Sequence, residues 1–224
     1  MMGLSAWRLN RSRLKELGQV FLDFIFPRYC QNCERLLKKQ EWLFCESCSE
    51  KLPRNEAIVF SKNELFFPLK TPFLYEEPLK NAIKALKYQE DIYLIREMGR
   101  FFSKFLTLPA SFIVCPVPLH PKRLAQRGFN QSLFLAREIF GPNVVKELLV
   151  RHKNTRPQAG LSRKEREKNI KEAFRVINPE QVAGKRILLF DDVLTTGATL
   201  AECARVLLKA GASQIEVATL TRRG

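Results

Sequence analysis

"ILLFDDVLTTGATL", residues 187–200, decides the reading of this chain. Four apolar residues, Ile187 to Phe190, run straight into Asp191 and Asp192. A turn of threonines around Gly197 follows, then the helical pattern "LAECARVLLKA" at 200–210. In an open parallel sheet, ligands bind at the carboxyl ends of strands, which is where this acidic pair falls. Two adjacent carboxylates repel each other unless they hold something polar, and vicinal hydroxyls such as those of a ribose suit them as donors. Beyond them, "TTGAT" offers backbone N–H groups, three hydroxyls and the start of a helix, a combination that holds phosphate. Gly197 lets the backbone approach a ligand closely. Thr199 and Glu202 fit a capping box at the helix start. A capped loop with solvated aspartates would explain the helix start but not two acids directly after four apolar residues.

Outward from this stretch, strand and helix patterns alternate. "KRILLF" (185–190), "SFIVCPVP" (111–118), "VVKELLV" (144–150) and "QIEVATLT" (214–221) read as strands. Residues 78–89, 92–106, 130–140 and 200–210 have apolar residues at helical spacing. Residues 54–72 read as a linker and a strand entry, and the charged stretch 152–172 as a loop. The alternation predicts an α/β domain with a mainly parallel sheet and helices on both faces. Two domains are expected: an N-terminal helix with a cysteine module over 1–60, and the α/β domain over 61–224.

The module carries "CQNCERLLKKQEWLFCESC", in which Cys30, Cys33, Cys45 and Cys48 form two CxxC pairs eleven residues apart. Each pair can present two thiolates to one ion, and two pairs complete a tetrahedral sulfur site suited to structural Zn²⁺. The competing reading is two redox dithiols. That chemistry sits at a strand–helix junction in a βαβ pattern, which is missing here. Cys115 and Cys203 lie in apolar patterns and read as packing.

The net charge of +15 points to phosphates, nucleic acid or an anionic membrane surface. Residues 120–175 hold 14 Lys/Arg against 5 Asp/Glu, so nine of those 15 charges sit in one quarter of the chain. Leu14, Leu17, Phe21, Phe24 and Ile25 form an apolar face beside Arg8, Arg11, Arg13 and Lys15. Such a helix lies on a membrane or packs on its own protein. No apolar run is long enough to span a bilayer and no cleavage site follows the basic N-terminus, so the cytoplasm is expected, with its membrane face as a second location.

The stretch 187–200 resembles the phosphoribosyl-pyrophosphate (PRPP) loop of type I phosphoribosyltransferases. The resemblance implies that Asp191 and Asp192 hold the ribose hydroxyls and that Thr195, Thr196, Gly197, Ala198 and Thr199 cradle the 5′-phosphate. It implies a pyrophosphate loop at "VCPVPLHPKR", with Lys122 and Arg123 as ligands, and a mobile catalytic loop at "QAGLSRKEREKNI", with Arg163, Lys164 and Arg166 as candidates. The four-cysteine module, "LHPKRLAQRGFNQ", "RPQAGLSRKEREKNIKEAF" and the PRPP loop, in that order, resemble the ComF family of competence-associated proteins. Arg127, Asn130 and Gln131 match that family's motif.

Two functions follow from the resemblance. One is phosphoribosyl transfer with Mg²⁺-PRPP. The other keeps the PRPP site but handles incoming single-stranded DNA without sequence preference, at the competence machinery on the inner face of the membrane. Phe129 and Trp42 are the candidate stacking platforms for bases. The second reading expects no hood for a nucleobase after the last strand.

Overall fold

The computed structural model describes residues 27–62, 64–88, 92–153 and 170–224. The amphipathic segment 14–26 and the loop candidates Arg163, Lys164 and Arg166 lie outside the described residues. In chain order the elements are α1 (Glu46–Glu50), β1 (Val59–Lys62), β2 (Leu65–Lys70), β3 (Phe73–Leu74), α2 (Leu79–Tyr88) and α3 (Ile92–Phe102). Then come β4 (Phe112–Pro116), α4 (Pro121–Arg127), α5 (Gln131–Phe140), β5 (Leu149–Arg151), β6 (Phe174–Val176), β7 (Arg186–Leu194), α6 (Ala198–Lys209) and β8 (Gln214–Arg222).

The main sheet has the order β1-β2-β8-β7-β4, with β3 beside the end of β8. All its pairings are parallel except β1 with β2. Strand β7 is central, and Ile187 to Phe190 are fully buried. That explains an apolar run without polar alternation: both faces of a central parallel strand are covered. Leu188 and Phe190 join a core with α2, α3 and α5, through Ile83, Met98 and Leu135 among others. Ile187 and Leu189 join the opposite core, with Ala201, Ala204 and Leu207 of α6. The expected α/β architecture with helices on both faces is the one observed.

Three local readings change. Strand β7 runs on through Asp191 and Asp192 to Leu194, because β8 continues beside it and pairs Asp191 with Thr219 and Val193 with Thr221. The expected strand at 144–150 is a 3₁₀ turn (Pro142–Val144), one bridge from Val145 to Val114, and the short β5. The linker 54–72 contains the antiparallel hairpin β1–β2, whose alternating burial had been obscured by Pro68 and the lysines. Pro121 also starts a short helix, with His120 as its cap and Gly128 closing it in the left-handed conformation (φ 76°).

The cysteine module docks on α3. Phe44 meets Phe101 with ring centroids 5.4 Å apart. Glu97 accepts the Leu43 N–H at 3.0 Å and faces Arg28 at 3.5 Å. Trp42 lies between the guanidinium groups of Arg28 and Arg100, 4.2 and 4.1 Å from its ring. Among the described residues no helix is long and apolar enough to cross a membrane.

Candidate functional site

The two acids at the end of β7 are held by the first residues of α5. Ser132 Oγ donates to Asp191 Oδ1 at 2.8 Å, and Gln131 Nε2 donates to Asp192 Oδ2 at 3.4 Å. Asp191 Oδ1 also accepts the Asp192 N–H at 2.9 Å. Asp192 is only 5 % exposed, while Asp191 is half-buried. The segment "RGFNQS" thereby acquires chemistry. Asn130 caps α5 by accepting the Ser132 N–H at 3.1 Å and donates to the Val117 carbonyl at 3.1 Å. This fixes the helix start to the loop after β4. Arg127 Nη1 donates to Gln131 Oε1 at 3.2 Å, so a chain of side chains runs from α4 through α5 to Asp192.

Past the acids, Thr195, Thr196 and Thr199 are half-exposed, and Gly197 and Ala198 are buried. Gly197 adopts φ 73°, and a Cβ there would strike the Phe60 ring of β1. Helix α6 starts at Ala198, whose N–H reaches Thr196 Oγ1 at 3.5 Å. The expected capping box does not form: Thr199 lies inside the helix. Glu202 instead accepts from Arg205 Nε and Nη2 at 2.9 and 2.8 Å and from the Glu172 N–H at 2.8 Å. A guanidinium fork and a backbone donor are stronger partners than the N–H a capping box offers.

The basic candidates flank this strand end. Lys122 is exposed and Arg123 half-buried on α4, whose cap forms when His120 Nδ1 accepts the Lys122 N–H at 3.2 Å. Burial first, and then Arg127, hold the Arg123 guanidinium below its usual pKa. Strands β5 and β6 pair antiparallel, with Arg151 opposite Phe174, and the His152 N–H bonds the Ala173 carbonyl at 3.0 Å. The described residues on either side of the charged stretch, His152 and Ala173, therefore lie side by side. Sequence reading missed Ser132 and Arg151. Ser132 is the next residue after the matched motif. Arg151 looked like one more charge in a basic stretch, yet it is 3 % exposed.

The four module cysteines come together, with all Sγ atoms within 4.8 Å of one another and Cys33 and Cys45 Sγ 3.7 Å apart. A tetrahedron with Zn–S bonds of about 2.3 Å has an edge of about 3.8 Å, so the donor set fits a zinc ion. Burial opposes ionisation at Cys30 and Cys45. Hydrogen bonds from the Cys33, Cys45 and Asn32 backbone to Cys30, and from the Cys48 backbone to Cys45, outweigh it. Both thiols fall below their usual pKa, Cys45 to about 6. Cys48 accepts from Asn32 Nδ2 at 3.4 Å, but burial and the neighbouring thiols push it up to about 12. Sulfurs so close cannot all ionise until a cation neutralises their charge. Cys115 and Cys203 are fully buried, and burial pushes Cys115 up to about 12 and Cys203 well above its usual value, so both stay protonated. Neither expected stacking platform stands free. Trp42 is covered by two arginines, and Phe129 packs edge-on to Phe134 at 5.8 Å.

The phosphoribosyl transferase domain family matches residues 127–224. Competence protein F of Haemophilus influenzae is 31 % identical over 211 residues, which cover 88 % of this chain and 85 % of that protein. The chain belongs to the ComF family. Other relatives include DNA utilization protein YhgH of Escherichia coli K12, 31 % identical over 88 % of this chain and 97 % of its own. Competence protein ComFC of Bacillus subtilis is 27 % identical, with coverage of 87 % and 84 %. The ComF chain is also similar to the solved allosteric regulatory enzyme of purine biosynthesis, at 18 % identity, 60 % coverage of this chain, 29 % of that chain and a TM-score of 0.40.

Proposed function

We propose that this ComF chain binds Mg²⁺-PRPP at the end of β7 and handles incoming single-stranded DNA in the cytoplasm during natural transformation, beside the competence machinery. One observation carries the ligand reading. Two adjacent acids, each anchored by α5, stand near the end of β7, upstream of a left-handed glycine turn into the N-terminus of α6. In this reading Asp191 and Asp192 accept the ribose 2′- and 3′-hydroxyls. Residues 195–199 present N–H groups, hydroxyls and the helix dipole to the 5′-phosphate. Lys122 and Arg123, with Arg163, Lys164 and Arg166, offset charge on the diphosphate. Mg²⁺, when bound there, neutralises diphosphate charge and orients the leaving group. If the chain turns PRPP over, the same cations stabilise the charge that develops as the C1′–O bond breaks.

The DNA role is supported by the names of the relatives, competence proteins and a DNA utilization protein, and by the basic stretch 120–175. Contacts to phosphates make such binding indifferent to sequence and sensitive to salt. The test is anisotropy of a labelled forty-nucleotide single strand between about 50 and 200 mM salt, with and without Mg²⁺-PRPP. Steeply salt-dependent binding that weakens with Mg²⁺-PRPP is expected. Absence of DNA binding at low salt, with pyrophosphate release on adding a nucleobase, would replace the DNA role by transferase activity.

A further inference from the structure

A protein that grips single-stranded DNA needs cations for the phosphates and an accessible aromatic ring for the bases. Trp42 and Phe129 are covered by other side chains. Tyr75 is placed differently. It follows β3 at the carboxyl end of the main sheet, and its N–H donates to the Arg222 carbonyl of β8 at 2.6 Å. Arg222 is also the register partner of Leu194, the last residue of β7. The Arg223 N–H in turn donates to the Leu194 carbonyl at 2.9 Å. Leu194 leads directly into Thr195 and Thr196 of the glycine turn. Tyr75, Arg222, Arg223 and Leu194 thus form one hydrogen-bonded ledge that ends at the phosphate cradle. Strand β3 lies two strands from β7, about 10 Å at the usual spacing, a gap that a short piece of strand spans.

The side chains on this ledge suit a base. Tyr75 is half-buried and packs against the core that contains Phe73 and Phe101, which steadies its ring. Arg223 is exposed, and its guanidinium lies 5.6 Å from the centre of the Tyr75 ring. That is close to the outer limit of about 6 Å for a cation–π contact. The two guanidinium groups on Trp42 sit closer, at 4.2 and 4.1 Å. Arg223 can therefore lift from the ring and close on a base stacked there, because a guanidinium plane stacks on bases as it does on aromatic rings. Arg222 adds a second positive charge, with its Nε donating to the Arg223 carbonyl at 3.4 Å. Two acids follow Tyr75. Glu77 is drawn to Lys80 at 3.6 Å, and Glu76 is exposed, where water and salt screen it.

We propose that Tyr75 and Arg223 form a base-stacking subsite for single-stranded DNA: one base lies on the Tyr75 ring beneath the Arg223 guanidinium, and the phosphates beside it run along the ledge toward the glycine turn. This inference rests on the DNA-handling reading and names the residues that carry it. Every base has a π face, so the subsite takes any sequence. It also gives competition with PRPP a physical cause, since the phosphates of the strand and the 5′-phosphate of PRPP approach the same turn.

The experiment is anisotropy of the full-length, zinc-loaded protein with two labelled probes of equal length: a forty-nucleotide oligothymidylate and an abasic strand, which keeps the phosphates and lacks the bases. Wild type is compared with Tyr75→Ala, Tyr75→Phe and Arg223→Gln. Tyr75→Ala is expected to weaken oligothymidylate by on the order of tenfold, the scale of one lost base–aromatic stack, and to leave the abasic strand within about twofold. Tyr75→Phe, which keeps the ring, should stay within about threefold of wild type on both. Arg223→Gln should weaken both strands and reduce the slope of log affinity against log salt by about 0.7, the share of one phosphate contact on a single strand. An equal loss on both probes in Tyr75→Ala would assign Tyr75 to support of the fold and overturn the inference. Unchanged oligothymidylate affinity in Tyr75→Ala would overturn it while leaving the DNA reading intact. Tyr75→Phe as weak as Tyr75→Ala would make the hydroxyl, not the ring, the contact and overturn stacking. An unchanged salt slope in Arg223→Gln would remove Arg223 from the subsite. Failure of wild type to bind either strand at low salt would remove the DNA reading and the inference with it. If Tyr75→Ala does not fold, Tyr75→Leu, which keeps an apolar side chain against the core, decides by the same comparison of the two probes.

Discussion

Replacing Gly197 by alanine tests whether the turn into α6 is as constrained as its geometry implies. Two costs add. An L-residue at φ 73° carries a left-handed penalty of about 1–2 kcal/mol. The new methyl would meet Phe60 Cζ at 3.0 Å and Cε2 closer still. Phe60 cannot swing away freely: it is 4 % exposed and stacks on Phe67 with centroids 6.3 Å apart. Displacing such a ring costs about 1–3 kcal/mol. Loss of glycine's freedom in the unfolded chain returns about 0.4–1 kcal/mol. The expected net destabilisation is about 1–4.5 kcal/mol, which for a chain of this size lowers Tm by roughly 2–18 °C. Calorimetric melting of wild type, Gly197→Ala, Phe60→Leu and the double mutant separates the two causes. If the ring clash matters, the double mutant is less destabilised than the sum of the singles by about 1 kcal/mol or more. A wild-type Tm for Gly197→Ala would refute the turn geometry. Strict additivity would leave the backbone cost and remove Phe60 from the explanation.

Cys30→Ser should lose the bound zinc, seen by metal analysis, and open residues 27–53 to proteolysis, because a module with so little core of its own depends on its metal; native protein without zinc would contradict the site. Ser132→Ala should weaken Mg²⁺-PRPP by severalfold in calorimetry, since Asp191 loses the 2.8 Å donor that orients it, and unchanged affinity would remove Ser132 from the site. Glu202 is held below its usual pKa of 4.5 first by the Arg205 hydrogen bonds, against desolvation, and then by the Glu172 N–H. Its stabilising contribution is therefore present above about pH 4.5 and is lost as pH falls through the lower folded-state value. Glu202→Gln should be less stable than wild type at pH 7, with the gap closing below pH 4.5 in denaturant titrations; a gap independent of pH would show that packing, not charge, is what Glu202 contributes.

What the sequence determined by itself is local. A knuckle places two thiolates within four residues, so the cysteine cluster was readable from its spacing. The PRPP-like turn was readable for the same reason, since acids, threonines and glycine occupy one continuous segment. Four apolar residues before Asp191 were enough to predict a buried strand. What tertiary structure decided depends on residues far apart in the chain. Strand β7 runs past the acids only because β8 continues beside it. Glu202 leaves the predicted capping box because Arg205 and the Glu172 backbone, thirty residues away, bind it better. Ser132 acquires a role only when α5 is placed against a strand end 59 residues later. The deepest difference is at Arg151. In sequence it belongs to a basic run, where a solvated charge is the ordinary outcome. Pairing of β5 with β6 turns it inward onto Phe174, out of contact with water. Sequence lists charges, but only the fold sets how far each one lies from water and from its neighbours.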